Sequence, residues 1–189
     1  MNNLAFQEEV WEELLDGKIV AMSPRPGVNH NIVAGNICHI FGNFAARKAS
    51  FVFSTSVYAY LTKKDRVMPD VKIVCDKEII KEDGIHGAPD LIVEVLSPST
   101  AKNDRGYKKK LYEKCGVKEY WLVDIESRSI EVYLLKDGQF DLDEVYSIFP
   151  DYLIGKMTEE EKSKIAKEFK TSLFPELTIV LEEVFENLI

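Results

Sequence analysis

The stretch PDLIVEVLS, Pro89 to Ser97, decides the fold. Leu91, Ile92, Val93, Val95 and Leu96 supply apolar side chains to both faces, as in a central strand covered on both sides. The run is short and rich in β-branched residues, which suits a strand better than a helix. Glu94 sits in its middle. A carboxylate there is costly unless it is paired or bound to a metal. Period-two alternation places Asp90, Ile92, Glu94 and Leu96 on one face.

The next segment upstream, VMPDVKIVC (Val67–Cys75), also reads as a strand. Alternation puts Met68, Asp70, Lys72 and Val74 on one of its faces. Asp90 and Glu94 lie four residues apart on one strand, roughly 13 Å, too far to share an ion. Asp70 and Glu94 on neighbouring strands would be about 4.8 Å apart in the pairing direction and could share one hard cation. Oxygen ligands favour Mg²⁺ or Mn²⁺ over zinc, and the backbone carbonyl of Val95 offers a third oxygen. One such acid alone reads better as an ion-pair partner or a solvated sheet residue. Two acids on adjacent strands, followed by a basic helix, read as a site.

That helix is predicted from about Lys102 to Lys114, introduced by SPST with Asn103 and Asp104 and ended by Gly116. Asp104, Lys108 and Tyr112 recur every four residues along one stripe. By themselves Lys108 to Lys110 read as a solvated basic face. Beside a metal, a lysine here would orient or activate the water that attacks a phosphodiester.

Farther out, Asp16-Gly17 predicts a hairpin over Trp11–Met22, closed by Pro24 and Pro26. Ile32, Val33, Ile37, Ile40, Phe41, Phe44 and Ala45 recur at helical spacing, so a helix is predicted from about Asn29 to Lys48. SFVFSTSVYAYLT (Ser50–Thr62) alternates as one strand, with a turn at Lys63–Arg66 and a polar loop from Asp76 to Gly87. EYWLVD (Glu119–Asp124) is a further apolar strand, and SIEVYLL with Gly138 suggests another hairpin. Thr158 and Glu161 form a capping-box pattern before a charged helix, about Glu159 to Phe169. SLFPELTIVLEEVFENLI ends the chain as a strand and a short helix. The expectation is one α/β domain over residues 1–189, with a helical insertion at 151–170.

The chain has 189 residues, 46 % hydrophobic and 30 % charged, enough for a substantial core. No stretch of about 18 apolar residues suggests a membrane span. Met1 to Glu9 is polar and acidic, without the features of a signal peptide, so a cytoplasmic location is expected. Cys38, Cys75 and Cys115 are widely spaced, fit neither a disulfide framework nor a zinc site, and read as small buried hydrophobes. The net charge of −8 is awkward for a nucleic-acid binder, which needs local positive charge. Arg105, Lys108, Lys109 and Lys110 offer a local cluster.

MPDVKIV, GAPDLIVEVLSPST, the D-x3-K-x3-Y run from Asp104 and GVKEYWLVD together resemble the Uma family of restriction-endonuclease-like proteins, within the PD-(D/E)XK superfamily. WEELLDGKIVAMSPRP through His30, and SLFPELTIVLEEVF, are similar to the ends of that family's pattern. The resemblance implies a restriction-endonuclease-like core: a helix, a three-strand meander, a crossover helix and a fourth strand. It implies that Asp70 is the PD aspartate and Glu94 the acid of the (D/E)XK element. Leu96 stands where the superfamily carries its lysine, and the resemblance points to Lys108 as the replacement, with Lys72 as a weaker substitute. Glu13, His30, Asp90 and Tyr112 match family positions. Glu13 is implied as a further metal ligand, Asp90 as fixing the strand turn, and His30 as capping the helix or touching substrate.

Three functions follow as expectations. The first is a Mg²⁺-dependent endonuclease acting on DNA. The second is a non-catalytic interaction module on the same scaffold, favoured by the net charge and by Leu96. The third is a hydrolase of another phosphorylated substrate. A homodimer paired through FVFSTSVYAYL is a further expectation, against the alternative that these aromatics fill the core.

Overall fold

The computed structural model describes residues 11–22 and 26–189; the readings for Met1 to Glu9 and for Pro24 fall outside them. β1 (Glu12–Leu15) and β2 (Lys18–Ala21) form the predicted hairpin. Asp16 and Gly17 both take positive φ, 49° and 75°, as a tight two-residue turn requires. Helix α1 (Val28–Ala45) follows and buries Val33, Ala34, Ile37, Phe41 and Ala45.

The predicted strand Ser50–Thr62 is two strands, β3 (Phe51–Ser54) and β4 (Ala59–Thr62). Ser56, at φ 85°, breaks the run and lets the chain leave one sheet for another. Val67–Cys75 is likewise divided between β5 (Asp65–Val67) and β6 (Val71–Val74). Pro69, which cannot donate to a ladder, lies in the break, so Asp70 immediately precedes β6 and does not lie within it. β7 (Ile80–Lys81), β8 (Gly84–Ile85) and β9 (Leu91–Val95) come next.

The crossover helix has three parts: α2 (Ala101–Asn103), a π-helical turn at Asp104–Lys108, and α3 (Lys109–Cys115). Gly116 ends it in the left-handed conformation. β10 (Glu119–Asp124), β11 (Ser129–Lys136) and β12 (Gln139–Ser147) follow. The last part holds α4 (Asp151–Ile154), α5 (Glu159–Ser163), β13 (Glu168–Lys170), β14 (Thr178–Val180) and α6 (Leu181–Val184). The capping box at Thr158 and Glu161 is present, but its helix stops at Ser163. Tertiary packing overrides helix propensity there: Phe169 is drawn into the core, and β13 pairs with β14.

The main sheet runs β12-β11-β10-β9-β6-β3. β3, β6 and β9 are antiparallel, the crossover helix returns the chain, and β10 pairs parallel to β9. β9 alternates its side chains between two cores. Leu91, Val93 and Val95 pack with α1, Trp121 and the C-terminal Phe169, Phe174 and Ile179. Ile92 packs on the other face with Leu111, Tyr112 and Tyr120 and with Leu15, Val67 and Ile85 of a second sheet, ordered β2-β1-β5-β4-β8-β7. Glu94 shares that second face. Of the cysteines, Cys75 is exposed and Cys38 and Cys115 are half-buried, so none is the buried hydrophobe expected. Cys75 closes β6 at the sheet end, where an edge residue meets solvent. No described helix is long and apolar enough to cross a membrane.

Candidate active site

Sheet register brings the two acids together. Val71 pairs with Val93 and Lys72 with Ile92, so one step back along β6 sets Asp70 opposite Glu94. Asp70 is tied across the strands: its Oδ2 accepts from the Val95 amide at 2.8 Å. The Val95 contact is thus made through its N–H. Asp70 Oδ1 lies 2.8 Å from His30 Nε2, in the first turn of α1. His30 does not cap that helix, whose N-cap is Gly27.

Glu94 receives two donors at Oε1: the Lys108 ammonium at 2.7 Å and the Tyr112 hydroxyl at 2.6 Å. Lys108 Nζ also stands 3.2 Å from Glu13 Oε1 and 3.3 Å from Asp104 Oδ1. Glu13, on β1, is fixed by the Met68 amide at 2.8 Å. The hairpin, the β5–β6 break, β9 and the crossover helix therefore meet at one point. Asp70, Glu94, Lys108 and Asp104 are 5 %, 3 %, 3 % and 1 % exposed.

Burial and the surrounding carboxylates act in opposite directions on these groups. Burial pushes the Glu94 carboxyl well above the ordinary range; Lys108 opposes this, while Asp104, Asp70 and Glu13 add to it. Burial likewise raises Asp104, against the pull of Lys108. Burial favours neutral Lys108, but Glu94, Tyr112, Glu13 and Asp104 together outweigh it and hold the ammonium well above the usual lysine range. Its three carboxyl neighbours lie 2.7–3.3 Å away and favour the charged ammonium.

Lys72 is fully buried beside the site. Its Nζ donates to the carbonyls of Ser54, Val57 and Pro69, each at 2.8 Å. All three ammonium protons are engaged, so Lys72 braces the bend before Asp70. Burial lowers its pKa to about 8, against the pull of Glu94 and Asp70. Flanked in sequence by apolar Val71 and Ile73, Lys72 carries no sequence signal of this bracing role.

Other sequence candidates lie elsewhere. Asp90 accepts from the Cys75 amide at 2.7 Å and pairs with Lys118 at 2.7 Å, linking the end of β6 to the starts of β9 and β10. The basic cluster disperses. Arg105 pairs with Glu131 at 3.0 Å, Lys109 sits 3.5 Å from the Tyr133 ring centroid, and only Lys108 turns inward. Their helical spacing points them to different neighbours.

Four buried carboxyl groups (Glu13, Asp70, Glu94, Asp104) crowd two buried lysines (Lys72, Lys108), so acids outnumber bases, and burial with mutual repulsion disfavours ionising all four at once. Both carboxylate oxygens of Asp104 are buried without a well-aligned hydrogen bond. Hard oxygen donors whose mutual repulsion a cation would relieve suit Mg²⁺ or Mn²⁺. Among the described residues no three His, Cys, Asp or Glu form a complete metal-binding group. Mg²⁺ does not require one, since it is commonly held by one or two carboxylates with waters and substrate phosphates.

Comparison with known proteins agrees with this architecture. The family model Uma2, described as "Putative restriction endonuclease", matches residues 2–160. An uncharacterized protein of Synechocystis sp. is 31 % identical over 127 residues, which is 66 % of this chain and 66 % of the relative, just short of two thirds of each. A crystal structure described as "a putative nuclease belonging to DUF820 from Anabaena variabilis" superposes with a TM-score of 0.69 and 20 % identity, covering 94 % of this chain and 90 % of that one. At that identity the likeness establishes the fold, which is restriction-endonuclease-like, as the meander, crossover helix and parallel fourth strand require.

Proposed function

The chain belongs to the Uma2 family, and from that premise we propose that it is a Mg²⁺- or Mn²⁺-dependent endonuclease that hydrolyses phosphodiester bonds of DNA. The observation that carries this reading is the convergence of Asp70, Glu94 and Lys108 in one buried, acid-rich cluster. Asp70, Glu94 and the Val95 carbonyl would hold the cation, with Glu13 as a further carboxylate. A bound divalent ion supplies Lewis-acid polarisation of the phosphate and a more acidic water.

The chain's own residues do the rest. Tyr112 and Lys108 orient the Glu94 carboxylate, and His30 and the Val95 amide orient Asp70. Lys108 is held charged, so its role is to donate hydrogen bonds to anionic oxygens and orient water, not to take a proton. In the reaction water adds to phosphorus, the bond to the leaving oxygen breaks, and that oxygen gains a proton.

One observation favours a second reading, a non-catalytic module on the nuclease scaffold: Lys108 stands wedged among Glu13, Glu94 and Asp104, all largely closed to solvent. Incubation of plasmid DNA and of RNA with Mg²⁺ or Mn²⁺ separates the two. The endonuclease reading predicts cleavage of circular DNA that is lost in Asp70→Asn and Glu94→Gln. Folded wild-type protein that cuts neither substrate supports the module. Cleavage of small phosphodiesters alone points to a different phosphorylated substrate.

A further inference from the structure

Asp104, Lys108 and Tyr112 all reach the Glu94 cluster, yet an ordinary α-helix would spread them over a wider arc. At about 100° per residue, eight residues overshoot two full turns by about 80°. The stretch from Asp104 to Lys108 is a π-helical turn. Such turns close i→i+5 bonds with about 4.4 residues per turn, or about 82° per residue. Four steps at that angle followed by four α-helical steps bring Tyr112 back to within about 8° of Asp104. The widened turn thus halves the arc spanned by Asp104, Lys108 and Tyr112, from about 80° to about 40°.

Tyr120 reaches into that turn from β10. Its ring is fully buried, edge-on to Tyr112 with centroids 5.2 Å apart and stacked on Phe140 at 5.8 Å. Its hydroxyl donates to the main-chain carbonyl of Asp104 at 3.1 Å. Burial, with Glu94 and Asp104 nearby, holds the phenol well above its ordinary value, so the hydroxyl keeps its proton. A side chain inserted into a helix ladder is a recognised cause of local distortion. This one satisfies a carbonyl at the point where the turn widens.

We propose that Tyr120 is the positioning residue that holds the π-turn open and so keeps Asp104, Lys108 and Tyr112 converged on Glu94. The functional weight of this role rests on the site reading above, but the geometry can be tested without it. Without the hydroxyl the turn relaxes toward α-helical winding, and Asp104 moves to about 80° from Tyr112 around the helix.

The test is Tyr120→Phe in the full chain, with Tyr133→Phe as a control that removes a neighbouring hydroxyl bonded to Glu131. Three quantities are read: the ¹⁵N resonance of the Lys108 ammonium, amide exchange over residues 104–109, and Mn²⁺ affinity by calorimetry. Tyr120→Phe is expected to shift the Lys108 signal or broaden it away. It should speed amide exchange in the turn at least about tenfold, and weaken Mn²⁺ binding by a similar factor. Tyr133→Phe should leave all three at wild-type values.

An unchanged Lys108 signal and unchanged exchange in Tyr120→Phe overturn the proposal. If neither wild type nor variant binds Mn²⁺, the metal-site reading fails while the ammonium signal and exchange still decide the role of Tyr120. Should Tyr120→Phe not fold, the wild-type protein decides. The Tyr120 hydroxyl proton should exchange slowly and show a cross-peak to the Arg105 amide, and its absence overturns the proposal.

Discussion

Lys108 Nζ lies 2.7 Å from Glu94 Oε1, and both side chains are almost completely buried. Neither would be tolerated there alone. The ammonium also neutralises Glu13 and Asp104, so one lysine from the crossover helix holds together acids from β1, β9 and its own helix.

Removing that lysine should be severe. Lys108→Met leaves three clustered carboxylates without their counter-charge, and breaking a buried pair on one side typically costs about 3–5 kcal/mol. Urea unfolding at neutral pH should show a loss in that range. The loss should shrink as pH falls, because protonation of Glu94 and Asp104, both raised by burial, relieves the repulsion. A pH-independent loss would mean that Lys108 acts by packing alone.

Asp104 gives a pH dependence of known sign. Its folded pKa is raised above the unfolded value, so the folded state holds a proton that the unfolded chain has already released. Stability from this group is complete below the ordinary aspartate range near 3.8 and falls as pH rises through the raised folded value. Asp104→Asn should flatten that fall and raise stability at neutral pH. It should also weaken Mn²⁺ binding. Parallel urea titrations of both proteins from pH 3 to 8 check the slope.

Tyr112→Phe removes only the hydroxyl that donates to Glu94 at 2.6 Å. A hydrogen bond to a buried carboxylate is worth about 1.5–3 kcal/mol, and the loss in unfolding free energy should fall there. The aromatic packing on Tyr120 is retained, so the variant should fold cooperatively.

Glu119 predicts how the C-terminal part is held. This fully buried carboxylate accepts from Trp121 Nε1, from the Thr171 and Ser172 hydroxyls, and from the Ser172 and Leu173 amides. It fastens the segment that delivers Phe169, Phe174 and Ile179 to the core. Glu119→Ala should cost about 3 kcal/mol or more by orphaning these donors. Limited proteolysis should then cut first between residues 166 and 180.

Much of this was legible in the chain. The apolar run around Glu94 specifies a strand covered on both faces, and Asp16-Gly17 fixes its hairpin locally. The pairing of Asp70 with Glu94 followed from alternation on two strands, and register supplies it. What periodicity could not show was where strands change sheets. Ser50–Thr62 and Val67–Cys75 keep strand-like composition through breaks that only tertiary structure requires. The bracing by Lys72 was equally hidden, since its partners are main-chain carbonyls that carry no sequence signature. Arg105 and Lys109 look like companions of Lys108 in sequence, but side-chain direction sends them to Glu131 and Tyr133.

The most direct test of the account is Mn²⁺ titration by calorimetry on the wild-type protein and on Asp70→Asn with Glu94→Gln. One ion bound by wild type, and binding lost in the double variant while it still unfolds cooperatively, is the predicted result. Undiminished binding in the folded double variant would contradict the assignment of Asp70 and Glu94 as the metal site.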